Sequence, residues 1–119
     1  MTNSDPTRLT TFTGCTGCSY DTSPYFPVGW YRFVDGAGTH LATIPPTTGN
    51  CGASYPAWYN GSLPATAGLT ISSTVCVHAS NILCHPSYPI AISVTNCNGY
   101  YVFYLPSATT TLIRYCTTY

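Results

Sequence analysis

Residues 90–105, IAISVTNCNGYYVFYL, contain the strongest hairpin signal in the sequence. Two runs rich in β-branched and aromatic residues meet at Asn98-Gly99, the pair that best tolerates the positive φ angles of a two-residue type I′ turn. Pro89 and Pro106 bracket the two runs, because proline cannot donate a hydrogen bond to a strand ladder. The stretch therefore predicts a tight antiparallel hairpin at the centre of the fold.

The second arm of this hairpin carries large side chains on both faces. Successive strand residues point to opposite sides of a sheet. One side then receives Tyr100, Val102 and Tyr104, and the other receives Tyr101, Phe103 and Leu105. Because both sets are apolar or aromatic, we expect this strand to be covered on both faces.

Three further segments have the composition of strands: residues 29–34 (GWYRFV), 69–78 and 110–118. Helix formers are scarce and no stretch keeps a helical period over three turns. The length of 119 residues fits one domain. We expect an all-β, small disulfide-rich antiparallel sheet or sandwich with long irregular loops over residues 15–119. Residues 1–14 are predicted to form an N-terminal arm.

Charged residues are unusually rare. Three Arg and three Asp make up 5% of the chain, and Lys and Glu are absent, whereas globular proteins carry about 25% charged residues. A neutral chain cannot bind nucleic acid by counterion release, nor is it attracted to anionic membranes. No apolar run approaches the roughly 20 residues of a membrane span. The sequence therefore excludes nucleic acid partners and predicts no membrane insertion.

Seven cysteines in so short a chain indicate an oxidising compartment. Residues 1–13 lack the apolar core of a secretory signal, so we expect a mature segment whose leader is absent. We predict a secreted, extracellular protein.

The sequence offers several acceptors for covalent sugars. Asn60-Gly61-Ser62 is the single N-glycosylation sequon and also has turn chemistry, which predicts an exposed acceptor. Candidate O-glycosylation acceptors are Thr47, Thr48, Thr109, Thr110 and Thr111, with plain loops as the alternative. Attached glycans would cover a surface that has few charges.

Several short motifs together resemble the uromodulin-type cysteine-rich extracellular domain, a family that includes domains of uromodulin and of a pancreatic granule membrane glycoprotein. They are GWYRF at 29–33, GAGT at 36–39, CG at 51–52, PAWYNGS at 56–62, VCVH at 75–78, GYYV at 99–102 and YCT at 115–117. The resemblance covers about three quarters of the chain, and the N-terminal quarter matches through its cysteines alone. It implies a secreted, disulfide-bonded, noncatalytic β-rich module.

The resemblance also implies a set of disulfides. Family members have up to ten cysteines, and this chain lacks those expected near Ile44 and Pro45, at about Leu83 and near Thr111. The pattern that remains pairs Cys51 with Cys116, Cys76 with Cys84, and Cys97 with either Cys15 or Cys18. The other member of that last alternative, Cys15 or Cys18, is left over. An odd cysteine indicates an intermolecular bond, a partner in a longer parent chain or a free thiol.

The residues offer little to catalysis or to metals. The three aspartates lie in flexible or turn contexts, without a paired carboxylate. Cys15-x-x-Cys18 lacks a second half with regular ligand spacing, so disulfides are expected in place of zinc. His40, His78 and His85 are interpreted as ordinary polar residues, because no motif links them to a nucleophile. We predict no enzyme, no cofactor and no metal.

Aromatic residues have two interpretations. Arg32, which alternates with aromatic neighbours, is expected to stack on a ring or to donate to loop carbonyls. The tyrosines fit a buried core better than a sugar-binding platform; if such a platform exists, Trp58-Tyr59 beside the sequon is its expected place.

Two functions remain. The first is a noncatalytic structural module that self-associates into a glycosylated extracellular filament, with Arg8, Leu9 and Phe12 of one arm adding to the sheet of the next chain. The second is a monomeric module that presents the Asn60 glycan to a lectin.

Overall fold

The computed structural model describes residues 1–15 and 18–119, which form nine strands and three short 3-10 helices. The strands are β1 (Thr2–Asn3), β2 (Gly29–Phe33), β3 (His40–Leu41), β4 (Tyr55–Tyr59), β5 (Thr70–Val77), β6 (Ile90–Asn96), β7 (Tyr101–Leu105), β8 (Ile113–Tyr115) and β9 (Thr117–Thr118). Seven of them form a mixed sheet in the order β1-β2-β7-β6-β5-β4-β8, and β3 pairs with β9. The all-β fold class is confirmed. None of the helices in the described ranges has the length and apolar character needed to cross a membrane.

The predicted hairpin lies at the centre of the large sheet. β6 and β7 pair antiparallel up to Asn96 and Tyr101, and the Cys97 amide donates to the Tyr100 carbonyl at 2.8 Å. Asn98 and Gly99 then form the two-residue turn with φ angles of 58° and 116°. Both angles are positive, as a type I′ turn requires.

One face of the sheet forms the main core. Alternation along the strands directs Phe103, Leu105 and Val94 to this inner face, where all three are fully buried. Tyr59, Val75, Val77, Ile113 and Tyr115 join them from the neighbouring strands. Aromatic and β-branched side chains in register across strands therefore account for most of the packing.

The other face of the hairpin is uncovered, so the prediction that both faces are buried was wrong. Tyr104 and Tyr100 are each 40% exposed, and Trp30 on the neighbouring strand is 41% exposed. We call this surface the open face; it consists of Trp30 and Arg32 on β2, Tyr100, Val102 and Tyr104 on or beside β7, Ser93 and Thr95 on β6, and Thr70 and Ser72 on β5. Apolar residues on both faces of a strand do not reveal which face the rest of the chain covers.

The same side of the sheet is covered at its β4 end. Trp58 and Cys76 are register partners, and both pack into a small cluster with Ala42, Cys51, Ala53 and Cys116. The loop from residue 42 to residue 53 therefore shields the outer face of β4.

The last predicted strand, residues 110–118, is in fact two strands. β8 pairs in parallel with β4, and β9 pairs with β3 in the small sheet. Between them, the Cys116 amide donates to the Ala57 carbonyl and the Cys116 carbonyl accepts from the Ala42 amide, each at 2.9 Å. The chain therefore changes sheets at Cys116: the residues before it pair with β4, and the residues after it pair with β3.

The N-terminal arm packs against its own chain. β1 adds in parallel to the edge of β2, with Thr2 opposite Arg32, and Leu9 forms a bridge with Thr117. Arg8 is 4% exposed, whereas Phe12 is 38% exposed. Of the two states that extended arms adopt, disorder or addition to a sheet edge, this arm shows the second.

Candidate functional site

A buried ion pair anchors the arm. Both Arg8 guanidinium amines donate to the Asp21 carboxylate, at 2.7 and 2.8 Å, and the guanidinium lies 5.2 Å from the centre of the Phe26 ring. Asp21 also accepts from the Tyr115 amide at 2.8 Å. Arg8, Asp21 and Tyr115 are far apart in the sequence, so these charge-assisted hydrogen bonds hold three distant parts of the chain together.

A second ion pair is formed by Arg114 and Asp5. The Arg114 guanidinium donates to Asp5 at 2.6 Å and to the Cys51 carbonyl at 2.9 Å. Burial raises the pKa of Asp5, but hydrogen bonds from Thr7 and the charge of Arg114 outweigh it and leave the pKa below its ordinary value. Four of the six charged side chains are thus engaged in holding the fold together.

Three disulfides are present in the described residues: Cys15–Cys18, Cys51–Cys116 and Cys76–Cys84. The last two are the pairs that the family resemblance implies. Cys51 and Cys116 are fully buried and join the loop before β4 to the point where the chain changes sheets. This disulfide fixes the cover over the outer face of β4.

Cys97 does not pair with Cys15 or Cys18, which differs from the sequence-based expectation. Cys15 and Cys18 are bonded to each other, with Cα atoms 5.0 Å apart, and Cys97 is a half-buried free thiol. Cys97 follows the end of β6 that pairs with the start of β5, whereas the Ser19 amide donates to Gly52, near the start of β4. The eight residues of β5 separate these two ends by roughly 25 Å, far beyond disulfide reach.

The three histidines occupy separate sites in the part of the chain that the structure describes. His78 is bonded through Nδ1 to the Pro46 carbonyl at 2.7 Å, and His85 Nδ1 accepts from the Ser87 amide at 3.1 Å. His40 contacts the Thr39 hydroxyl, and burial lowers the pKa of its imidazole. Each imidazole therefore has a local structural contact. Within residues 1–15 and 18–119, no group of three metal-ligating side chains occurs.

The glycosylation acceptors lie at the surface. Asn60 is exposed directly after β4, and the Tyr59 hydroxyl donates to the Ser62 carbonyl at 2.7 Å, which holds the sequon in a turn. Thr47, Thr48, Thr109 and Thr111 are exposed, and Thr110 is half-buried. The geometry leaves the Asn60 amide accessible to modification.

Trp58 and Tyr59 cannot form a sugar platform, so the expected place for one was wrong. Tyr59 is fully buried and Trp58 is 8% exposed. The Trp58 indole donates to the Leu83 carbonyl at 2.8 Å, and the Tyr59 ring points into the main core. Both rings are packed because β4 is covered on both faces.

Exposed aromatic residues meet instead on the open face. Trp30 and Tyr104 are direct register partners, with ring centres 5.4 Å apart at 61°. Arg32 lies over the Tyr100 ring at 3.8 Å, which agrees with the stacking expected for this residue. The alternation of Trp30 and Arg32 with Tyr31 and Phe33 was the sequence signal for this surface, but the sequence did not show that the face is open.

The comparisons with known proteins agree with the resemblance. The pancreatic secretory granule membrane major glycoprotein GP2 of Homo sapiens is 31% identical over 105 residues, which cover 87% of this chain and 18% of that protein. The chain thus spans less than a fifth of the length of this relative. A family model described as "Uromodulin-like" matches residues 31–117. The chain belongs to this uromodulin-like domain family.

Proposed function

We propose that this chain is a noncatalytic extracellular module with a structural or interaction role. The observation that supports this best is that most of its charged groups and thiols are bonded to one another within the fold. Four of the six charged side chains form two ion pairs, and six cysteines form three disulfides. The exterior instead presents an open aromatic sheet face and a glycosylation acceptor. Disulfides and the name of the granule membrane relative both fit the secretory route.

Self-association through the N-terminal arm is the specific role that we propose. The arm binds by adding β1 to the edge of β2 and by inserting Arg8 beside Asp21. The arm of a neighbouring chain can make the same contacts if the exposed residues Thr13 and Gly14 extend. When each arm docks on the next chain and not reciprocally within a pair, the exchange is head-to-tail and open, so it produces a filament.

A designed cross-link tests arm exchange. Thr2 and Arg32 are register partners, so we expect Thr2→Cys/Arg32→Cys, with Cys97→Ser to remove the free thiol, to form a disulfide between β1 and β2. At high protein concentration, exchange between chains gives a ladder of covalent multimers on a non-reducing gel. Thr2→Cys/Cys97→Ser is the matched control and gives at most dimers. A double-cysteine variant that stays monomeric with no free thiol would contradict the exchange.

Presentation of an N-glycan is the second candidate, favoured by the exposure of Asn60 in a fixed turn. When the chain is expressed through a eukaryotic secretory pathway, we expect added mass that an N-glycosidase removes and that Asn60→Gln abolishes. Ser62→Thr keeps the sequon and serves as the control, with glycan still attached. An unmodified Asn60 in the secreted protein would exclude this role.

A further inference from the structure

The open face has a chemical pattern that the proposed function leaves unexplained. Trp30 pairs with Tyr104, Tyr104 pairs with Ser93, and Ser93 pairs with Ser72, which places the four side chains in one row across four strands. Adjacent strands lie about 4.8 Å apart, so the row is roughly 14 Å long. Along this row, two aromatic rings are therefore followed by two serine hydroxyl groups.

A second row of the open face runs beside the first. Val102 pairs with Thr95, and Thr95 pairs with Thr70; the two threonine hydroxyls are 2.7 Å apart. Arg32 directly follows the Tyr31–Phe103 pair of β2 and β7, and continuing that register places it across from Val102. The two rows together give a surface with rings at one end, hydroxyls at the other and a cation at the side.

Arg32 is the one charged side chain of the open face. Of the six charged side chains, Arg8, Asp21, Arg114 and Asp5 are paired with one another. The Arg32 guanidinium stacks on Tyr100 at 3.8 Å and makes no ion pair with another described residue. Stacking fixes the plane of the guanidinium, and because Arg32 is exposed, its N–H donors are accessible to a carboxylate.

These features indicate which kind of molecule the open face can bind. An apolar protein surface would bury the Ser93 and Ser72 hydroxyls without partners, which is unfavourable. A second copy meeting this face about a two-fold axis would bring another Arg32 and no carboxylate. A sugar ring has an apolar side for Trp30 and Tyr104 and hydroxyls for the serines, and an acidic sugar adds the carboxylate that complements Arg32.

We propose that the open face binds an oligosaccharide that carries a carboxylate. Its sugar ring stacks on Trp30 and Tyr104, its carboxylate is bound by Arg32, and its hydroxyls exchange hydrogen bonds with Ser93 and Ser72. This inference rests on the interaction role proposed above and specifies the class of ligand. It does not require the arm to exchange between chains.

Titration of the full chain with 3′-sialyllactose, followed by amide and indole NMR shifts, tests this site. We expect shifts along β2, β6 and β7 and in the Trp30 indole, with the buried Trp58 indole unchanged as an internal reference. The methyl ester of 3′-sialyllactose keeps every sugar ring but lacks the carboxylate charge; it should bind about tenfold or more weakly, because a hydrogen bond to a charged group contributes about 1.5–3 kcal/mol.

Variants separate the contribution of the Trp30 ring from that of the Arg32 guanidinium. Trp30→Ala should abolish binding of both sugars, and Arg32→Gln should lower the affinity for 3′-sialyllactose to that for its methyl ester. Tyr25→Ala is the matched control, because Tyr25 is an aromatic residue that is 75% exposed and lies outside the open face; it should bind like the original chain. An unperturbed amide spectrum shows that each variant is folded.

Three results would overturn the proposal: no shift with either sugar, equal affinity for 3′-sialyllactose and its methyl ester, or open-face shifts that depend on protein concentration alone. The last result would assign the face to a second copy. If sugar binding fails while the cross-linked ladder or the Asn60 glycan is observed, the error lies in the ligand class and the interaction role stands.

Discussion

Arg8→Met is expected to lower the free energy of unfolding by about 3–5 kcal/mol, because it leaves the Asp21 carboxylate buried without its cation. The two side chains are 5% and 4% exposed, so water cannot replace the lost guanidinium. The Tyr115 amide still donates to Asp21 but does not neutralise its charge. Urea unfolding followed by tryptophan fluorescence measures the change.

Two comparisons make this result specific. Arg32→Met removes an exposed guanidinium and should cost no more than about 1 kcal/mol. Arg8→Met/Asp21→Asn removes both charges and should recover part of the loss, since no unpaired charge remains. A change below about 1 kcal/mol for Arg8→Met alone would mean that the Arg8–Asp21 pair does not anchor the arm.

Removing the Cys51–Cys116 disulfide is expected to have a second large effect. The bond closes a loop with a sequence separation of 65 residues, for which the chain-entropy relation gives about 4 kcal/mol. Such a loss approaches the entire stability of a small domain. We therefore expect Cys51→Ala/Cys116→Ala to be largely unfolded at 37 °C, as measured by thermal unfolding under non-reducing conditions.

The Cys76–Cys84 disulfide provides the matched control. Its sequence separation is 8 residues, and the same relation gives about 2.5 kcal/mol. Cys76→Ala/Cys84→Ala should therefore retain a cooperative transition at a higher temperature than the first variant. Equal losses from the two variants would show that loop length does not determine the contribution of these disulfides.

The hairpin could be predicted because its determinants are local. Asn98-Gly99 fixes the turn, and alternation in the flanking residues fixes the two faces of each strand. The family resemblance added the Cys51–Cys116 and Cys76–Cys84 pairs, which spacing alone does not give.

The remaining features depend on contacts between distant segments. Trp58 and Tyr104 are each the fourth residue of a five-residue strand. Trp58 is nevertheless 8% exposed and Tyr104 40% exposed, because the loop before β4 returns over one end of the sheet. The pairing of Asp21 with Arg8 also depends on where the arm docks. Cys97 lacked its expected partner for the same reason, since its end of β6 lies far from the N-terminal disulfide.

The two ion pairs have a consequence for the rate at which this protein meets other molecules. With Arg8, Asp21, Arg114 and Asp5 paired, Arg32 and Asp35 are the side-chain charges left to generate a field around the described part of the chain. Electrostatic steering is then weak, and association rate constants should lie near the unsteered range of about 10⁵–10⁶ M⁻¹s⁻¹. Such encounters hardly depend on ionic strength, so the protein should bind its partners equally fast in dilute and in concentrated salt.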